Sequence, residues 1–102
     1  MDQIFLPQEI VGQYNTYHTF VIQIKRRDEL KKYLYDNGIE TAIHYPIPIH
    51  LQPAAKFLSY KAGTFPIAEL QAKKVLSLPI HQYLKNDEIE KIINLINSFV
   101  NW

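Results

Sequence analysis

Cysteine is absent from all 102 residues. No disulfide framework and no thiolate metal site can form, which fits a cytosolic protein. Long apolar runs are also absent. No stretch approaches the ~20 residues a helix needs to span a bilayer. The first seven residues, Met1 to Pro7, lack the basic start and apolar run of a signal peptide. They read as a connector from an upstream region. Net charge is nearly absent at +1, which gives no electrostatic case for nucleic acid or membrane as partner. Glycine is scarce. Gly12, Gly38 and Gly63 lie too far apart to form a phosphate-cradling loop. No serine sits in a Gly-x-Ser-x-Gly elbow, so that hydrolase arrangement is excluded.

The hydrophobic share is 47% and the charged share 21%, the balance of a globular chain rather than a disordered one. The length suits one domain, which buries roughly two-thirds of its unfolded surface. That supplies one core but little room for a deep cofactor pocket. Residues 4–14 read as an irregular lead-in with a short extended piece. Tyr17 to Ile24 is rich in aromatic and β-branched residues and predicts a strand, with Phe20, Ile22 and Ile24 on one face. Asp28 and Glu29 then open a helix whose stripe is Leu30, Tyr33 and Leu34. Asn37-Gly38 stops it. Ile39 to Tyr45 predicts a second strand, with Ile39, Thr41 and Ile43 alternating against Glu40, Ala42 and His44.

Three prolines in the eight residues from Pro46 to Pro53 forbid a helix interior or a central strand. An ordered, extended loop is expected. Ala54 to Tyr60 predicts a short helix. Another starts at Pro66 and runs to Leu76, offering Ala68, Ala72, Val75 and Leu76 to the core. Ser77 to Pro79 is a short extended stretch. Asn86 and Asp87 cap the last helix, which carries Ile89, Ile92, Ile93, Ile96, Phe99 and Val100 on one side. Trp102 is expected to close over the end of the core. The order implies a small α/β (α+β) sandwich, with helices mainly on one face of a three- or four-stranded sheet. The two main strands are joined through a helix, so they are expected to be parallel or near-parallel crossover partners.

Four histidines are the first candidates for chemistry: His18, His44, His50 and His81. Histidine serves as a metal ligand or as an acid or base near neutral pH. His44 and His50 flank the proline loop, but five residues part them and no third ligand is evident. A loop-bracing role is the simpler reading of that pair, with a metal site as the alternative. His18 reads as structural and His81 as a surface or packing residue. The basic group of Lys25, Arg26, Arg27, Lys31 and Lys32 reads as the solvated face of a helix start. The seven tyrosines read mostly as core or rim. The unusual feature is the stiff loop bearing His44, Tyr45, His50 and Gln52. Proline fixes such a backbone at low entropic cost, and rigid loops of this kind meet ligands or subunits.

Beyond these physical readings, several ordered motifs stand out. They are Tyr17-His18-Thr19-Phe20-Val21-Ile22, Arg27-Asp28-Glu29-Leu30, the long run from Gly38 to Gln52, Phe65-Pro66-Ile67-Ala68-Glu69, and Leu76-Ser77-Leu78-Pro79. In that order they resemble the C-terminal small domain of the DegT/DnrJ/StrS family of pyridoxal-phosphate-dependent nucleotide-sugar aminotransferases. The His44-Tyr45-Pro46-Ile47-Pro48-Ile49-His50-Leu51-Gln52 segment is the most specific part. The resemblance covers residues 15–100.

The resemblance implies the aspartate aminotransferase fold, in which a large domain supplies the Schiff-base lysine and the acid that pairs with the pyridine nitrogen. No motif of that large domain occurs here, so no catalytic or cofactor-binding residue is assigned, and no metal ligand. Pyridoxal phosphate is implied for the full-length enzyme only. Residues 1–14 are then a connector from the large domain and residues 15–102 the small domain, inactive alone. Implied partners are that large domain, a second protomer, and nucleotide-sugar and amino-donor substrates in the cytoplasm. His44 and Tyr45 are the implied substrate contacts, with His50 and Gln52 next. The alternative is a stand-alone binding or regulatory module. The family commonly has a capping residue before Arg-Asp and Thr near the last helix start, where this chain has Arg26 and Lys85.

Overall fold

The computed structural model describes residues 3–101. Its elements are β1 (Ile4–Phe5), β2 (Phe20–Ile24), α1 (Arg27–Asp36), two 3-10 turns (Ile49–Leu51 and Pro53–Leu58), α2 (Pro66–Lys74), β3 (Val75–Leu78) and α3 (Asn86–Val100). The strands form one sheet in the order β1-β2-β3, antiparallel throughout. The even-numbered side chains Ile22, Ile24 and Leu76 face the core, where Leu30 and Leu34 of α1 and Phe99 of α3 meet them. This is the expected α/β sandwich, with α1 and α3 on one face.

Ile22, Ile24, Leu30, Leu34 and Leu76 are essentially inaccessible. Burying each such side chain stabilises by about 1.5–3 kcal/mol. That outweighs weak helix ends. The N-caps of α1, α2 and α3, which are Arg26, Phe65 and Lys85, all lack a side-chain cap, and Arg26 and Lys85 are the two positions where the chain departs from the pattern it otherwise resembles. A missing cap costs about 1 kcal/mol. At α3, Glu88 reaches back to accept the Lys85 N–H at 3.0 Å. The lysine ammonium has no acceptor, so it cannot complete the reciprocal bond. Asn86 and Asp87, expected to cap this helix, are instead its first two residues. Arg26 has another occupation: its guanidinium lies 4.4 Å above the Phe99 ring and its Nη1 contacts Glu29 at 3.0 Å.

Several other expectations need correction. The strand expected from Tyr17 is β2 and begins at Phe20, since Tyr17 takes a positive φ of 50° and turns the chain. Ile39 to Tyr45 is not a regular strand. It joins the sheet by one bridge, Ala42 to Ser77, with N–H···O bonds of 2.7 and 3.1 Å. Pro46 and Pro48 cannot extend that ladder, because proline lacks the donor. The expected alternation nonetheless holds: Ile39 and Ile43 pack into the core cluster. The segment also runs in the same direction as β2, because both are antiparallel to β3. The error lay in adjacency, since β3 lies between them. Helix α2 ends at Lys74, and Val75 and Leu76 belong to β3. Ala68 is exposed. The short extended piece expected in the lead-in is present as β1, an edge strand on β2. Tyr14, Tyr35, Tyr45, Tyr60 and Tyr83 are exposed, so most tyrosines are not core. Trp102 lies outside the described residues.

The basic group is not one solvated face. Lys31 Nζ donates to the Thr41 carbonyl at 2.7 Å, and Lys32 pairs with Asp36 along α1. Arg27 is buried, with Nη1 donating to the carbonyls of Ala72 (2.9 Å) and Val75 (3.0 Å). These oxygens close the C-terminal end of α2, where helical carbonyls lack partners and a cation is favoured. Arg27 thereby ties the start of α1 to the junction of α2 and β3. Its contact with exposed Asp28 adds little.

Two substitutions test these assignments. Arg27→Met keeps the stem but strands two carbonyls, and is expected to cost about 1.5–3 kcal/mol in urea denaturation. Lys85→Thr supplies the missing half of the capping box and is expected to raise stability by about 0.5–1 kcal/mol, read as a higher urea midpoint with unchanged slope.

Candidate functional site

The proline loop leaves the sheet at Ala42 and returns to the surface of α2. Its two ends are held by histidines. At the first end, His44 Nδ1 lies 2.9 Å from Ser77 Oγ in β3. The His44–Tyr45 peptide is cis, and the two rings meet edge-on with centroids 5.3 Å apart. Tyr45 is 70% exposed, so its ring and hydroxyl are free to meet another molecule.

At the second end, His50 is buried and its Nε2 donates to Glu69 Oε2 at 3.1 Å. The His50 ring stacks edge-on with Phe65 and Tyr60, at 4.8 and 6.4 Å. Glu69 also accepts the N–H of Gly63 (2.7 and 3.0 Å) and of Phe65 (3.1 Å). One carboxylate therefore gathers the loop histidine, the turn before α2 and the first turn of α2 itself. Gly63 has φ +93°, a conformation that side chains rarely adopt, so the turn that presents its N–H to Glu69 favours glycine. Gln52 Nε2 donates to the Ile47 carbonyl at 3.1 Å, bracing the loop from within.

Between the two ends lies an open depression of about 510 Å³. His44, Tyr45, His50, Gln52, Tyr60 and Phe65 are among its walls. All four sequence-expected site residues therefore come together, with different exposures. His44 and Tyr45 are open to solvent, whereas His50 faces inward and acts as a brace. His18 is exposed and lines a smaller neighbouring depression with His44 and Ser77, while His81 is exposed and accepts the Tyr83 N–H. Among the described residues, no group of three or more His, Asp or Glu side chains is placed to hold a metal.

The walls carry no lysine and no carboxylate. A pyridoxal cofactor needs an amine to anchor it, an acid for its ring nitrogen and donors for its phosphate. The residues present do not fit that group. The sequence reading missed Glu69 and Ser77. Glu69 was visible in the Phe65-to-Glu69 motif, but an acid in a first turn is sufficiently explained by capping. Its bond to His50 spans nineteen positions of sequence.

The N–H of Gly63 is the main cause that holds the Glu69 carboxyl below its ordinary value of 4.5; burial opposes it, and Phe65 N–H and His50 add to the lowering. A depressed carboxyl contributes stability above its unfolded value and loses it as pH falls through the folded one. The wild type is therefore expected to lose thermal stability on acidification below about 4.5. Glu69→Gln should start lower at neutral pH and lack that acid step. Melting midpoints measured across the acid range check both.

Known proteins now bear on this geometry. The family model of the DegT/DnrJ/EryC1/StrS aminotransferase family matches residues 3–97. The chain is 40% identical, over 96% of its length, to the "Pleiotropic regulatory protein" of Geobacillus stearothermophilus, covering 26% of that protein. It is 34% identical to the dTDP-3-amino-3,6-dideoxy-alpha-D-galactopyranose transaminase of Aneurinibacillus thermoaerophilus, covering 94% of this chain and 26% of that one. Among solved structures, DesV of S. venezuelae, described in complex with a ketimine intermediate, superposes with a TM-score of 0.88. Its identity is 36%, over 94% of this chain and 26% of DesV. An aminotransferase from Brucella abortus gives a TM-score of 0.85 at 35% identity, with the same coverage. The chain thus spans about a quarter of the length of the relatives it matches. With its fold, its ordered motifs and its residues 3–97 in agreement, this chain belongs to the DegT/DnrJ/EryC1/StrS aminotransferase family.

Proposed function

We propose that this chain is the C-terminal small domain of a pyridoxal-phosphate-dependent aminotransferase that moves an amino group from an amino acid to a keto nucleotide sugar. Such a reaction serves the synthesis of amino sugars or cell-surface polysaccharide. The observation that carries the reading is coverage: nearly the whole chain aligns with about a quarter of each relative. Residues 15–102 are the small domain. Residues 1–14 are the connector from the large domain, and its Ile4–Phe5 stretch pairs with β2.

In this reading the chain's own residues bind and orient; they do not perform the electron-sink chemistry, which belongs to the cofactor on the large domain. His44 and Tyr45 contact the nucleotide sugar or the amino donor from the loop's first end. His50 and Gln52 keep the loop in place. Exposed Ile49, Phe57, Ile67 and Leu70 give the loop and α2 an apolar surface, which supports contact with the large domain and a second protomer. Among the described residues no helix is long and apolar enough to cross a membrane, and a cytoplasmic location is proposed from the family.

A second reading has one observation in its favour. Two relatives are named for regulation, the "Pleiotropic regulatory protein" and the "Erythromycin biosynthesis sensory transduction protein EryC1" of Saccharopolyspora erythraea. The chain would then be a stand-alone binding or regulatory module.

The purified chain is expected to show no saturable visible absorbance on titration with pyridoxal phosphate. It should also show no amino transfer to a keto nucleotide sugar. A stoichiometric band that borohydride traps on one lysine would overturn the small-domain reading.

A further inference from the structure

Ser77 is buried in β3 and does two things at once. Its backbone pairs with Val21 of β2 on one side and with Ala42 on the other. Side chains along extended backbone alternate in direction. Leu76 therefore enters the core while Ser77 faces the opposite side, the side shared by Ala42 and His44. That placement brings Ser77 Oγ to 2.9 Å from His44 Nδ1.

Among the described residues this is the one hydrogen bond of the Ser77 hydroxyl. A buried O–H donates to the acceptor in reach, since leaving its proton unpaired is unfavourable. Nδ1 of a neutral imidazole can accept only if the ring proton sits on Nε2. We infer that Ser77 is a positioning residue for His44, holding the ring against β3 as the Nε2–H tautomer. The exposed edge of the ring then offers an N–H donor rather than a lone pair. It suits an acceptor oxygen, such as that of a phosphate or a sugar carbonyl, and not proton abstraction by neutral Nε2. The functional consequence rests on the proposed substrate-facing role of His44, but the assignment of Ser77 does not.

The test uses the full 15N-labelled chain at alkaline pH without ligand. Long-range 1H–15N correlations report which ring nitrogen carries the proton, and His44→Gln assigns the His44 signals by their loss. The wild type is expected to show one tautomer, with the proton on Nε2. Ser77→Ala should lose that pattern and give averaged nitrogen shifts, while amide exchange at Ala42 and at position 77 stays slow because the backbone pair is intact. Ser77→Thr, which keeps the hydroxyl, should restore the single tautomer. A purely structural serine would leave the ring nitrogens of the folded alanine variant unchanged, and that result overturns the inference. So does a wild-type ring protonated on Nδ1, which decides the matter even if the alanine variant fails to fold. Because no ligand is present, failure of the substrate-facing reading leaves this outcome untouched, and the converse also holds.

Discussion

Leu76 and Ser77 stand next to each other in β3 and point to opposite sides of the sheet. Leu76 is fully buried against α1 and α3, and Ser77 reaches the loop histidine. The pairing of β3 with β2 on one flank and Ala42 on the other fixes both at once. A slip of one residue would exchange the two faces, putting a hydroxyl in the core and a leucine against His44. The burial of Ile22, Ile24 and Leu76 therefore sets the register from the apolar side, and the site on the other face inherits it.

The loop itself has little regular hydrogen bonding to hold it. Its rigidity comes from proline, which restricts the backbone, and from two side-chain anchors at its ends. The His50–Glu69 anchor is inward, surrounded by Phe65 and Tyr60, and draws in the turn before α2 through Gly63. The His44–Ser77 anchor joins an exposed ring to a buried hydroxyl and leaves Tyr45 free. The two ends thus divide the work: one fixes the loop to a helix, the other aims exposed groups from the edge of the sheet. The third tie, Arg27, lies outside the loop but keeps α2 and β3 in place through two carbonyls. Both loop anchors attach to elements that this guanidinium joins.

Periodicity in the sequence specified which side chains are buried better than it specified how strands pair. Ile39 and Ile43 share one face by alternation and both pack at the core cluster, although their segment makes a single bridge instead of a ladder. Apolar alternation reports a face, and any strand that covers the other side of the backbone satisfies it equally. Four of the six residues in the α3 stripe, Ile92, Ile96, Phe99 and Val100, likewise pack at the core cluster. Ile89 and Ile93, at its outer edge, remain 40% and 50% exposed, and Leu95 packs in the core cluster from a position the stripe did not include.

The loop residues His44, Tyr45, His50 and Gln52 were legible in the sequence, because proline spacing and an ordered motif act over a few neighbouring positions. The family was legible for the same reason. The partners of those residues were not. Ser77 meets His44 across thirty-three positions, and Arg27 reaches Val75 across forty-eight. The sequence by itself determined the three α-helices, the strand ending at Ile24 with its buried face, and the stiff histidine loop, since each follows from local backbone preference and apolar period. Only the tertiary structure decided that β3 would lie between β2 and Ala42, that Arg27 would be buried rather than solvated, and that one histidine would brace the loop while the other faced outward. Those outcomes depend on which distant groups satisfy each buried donor and acceptor, a matter settled when the chain closes on itself.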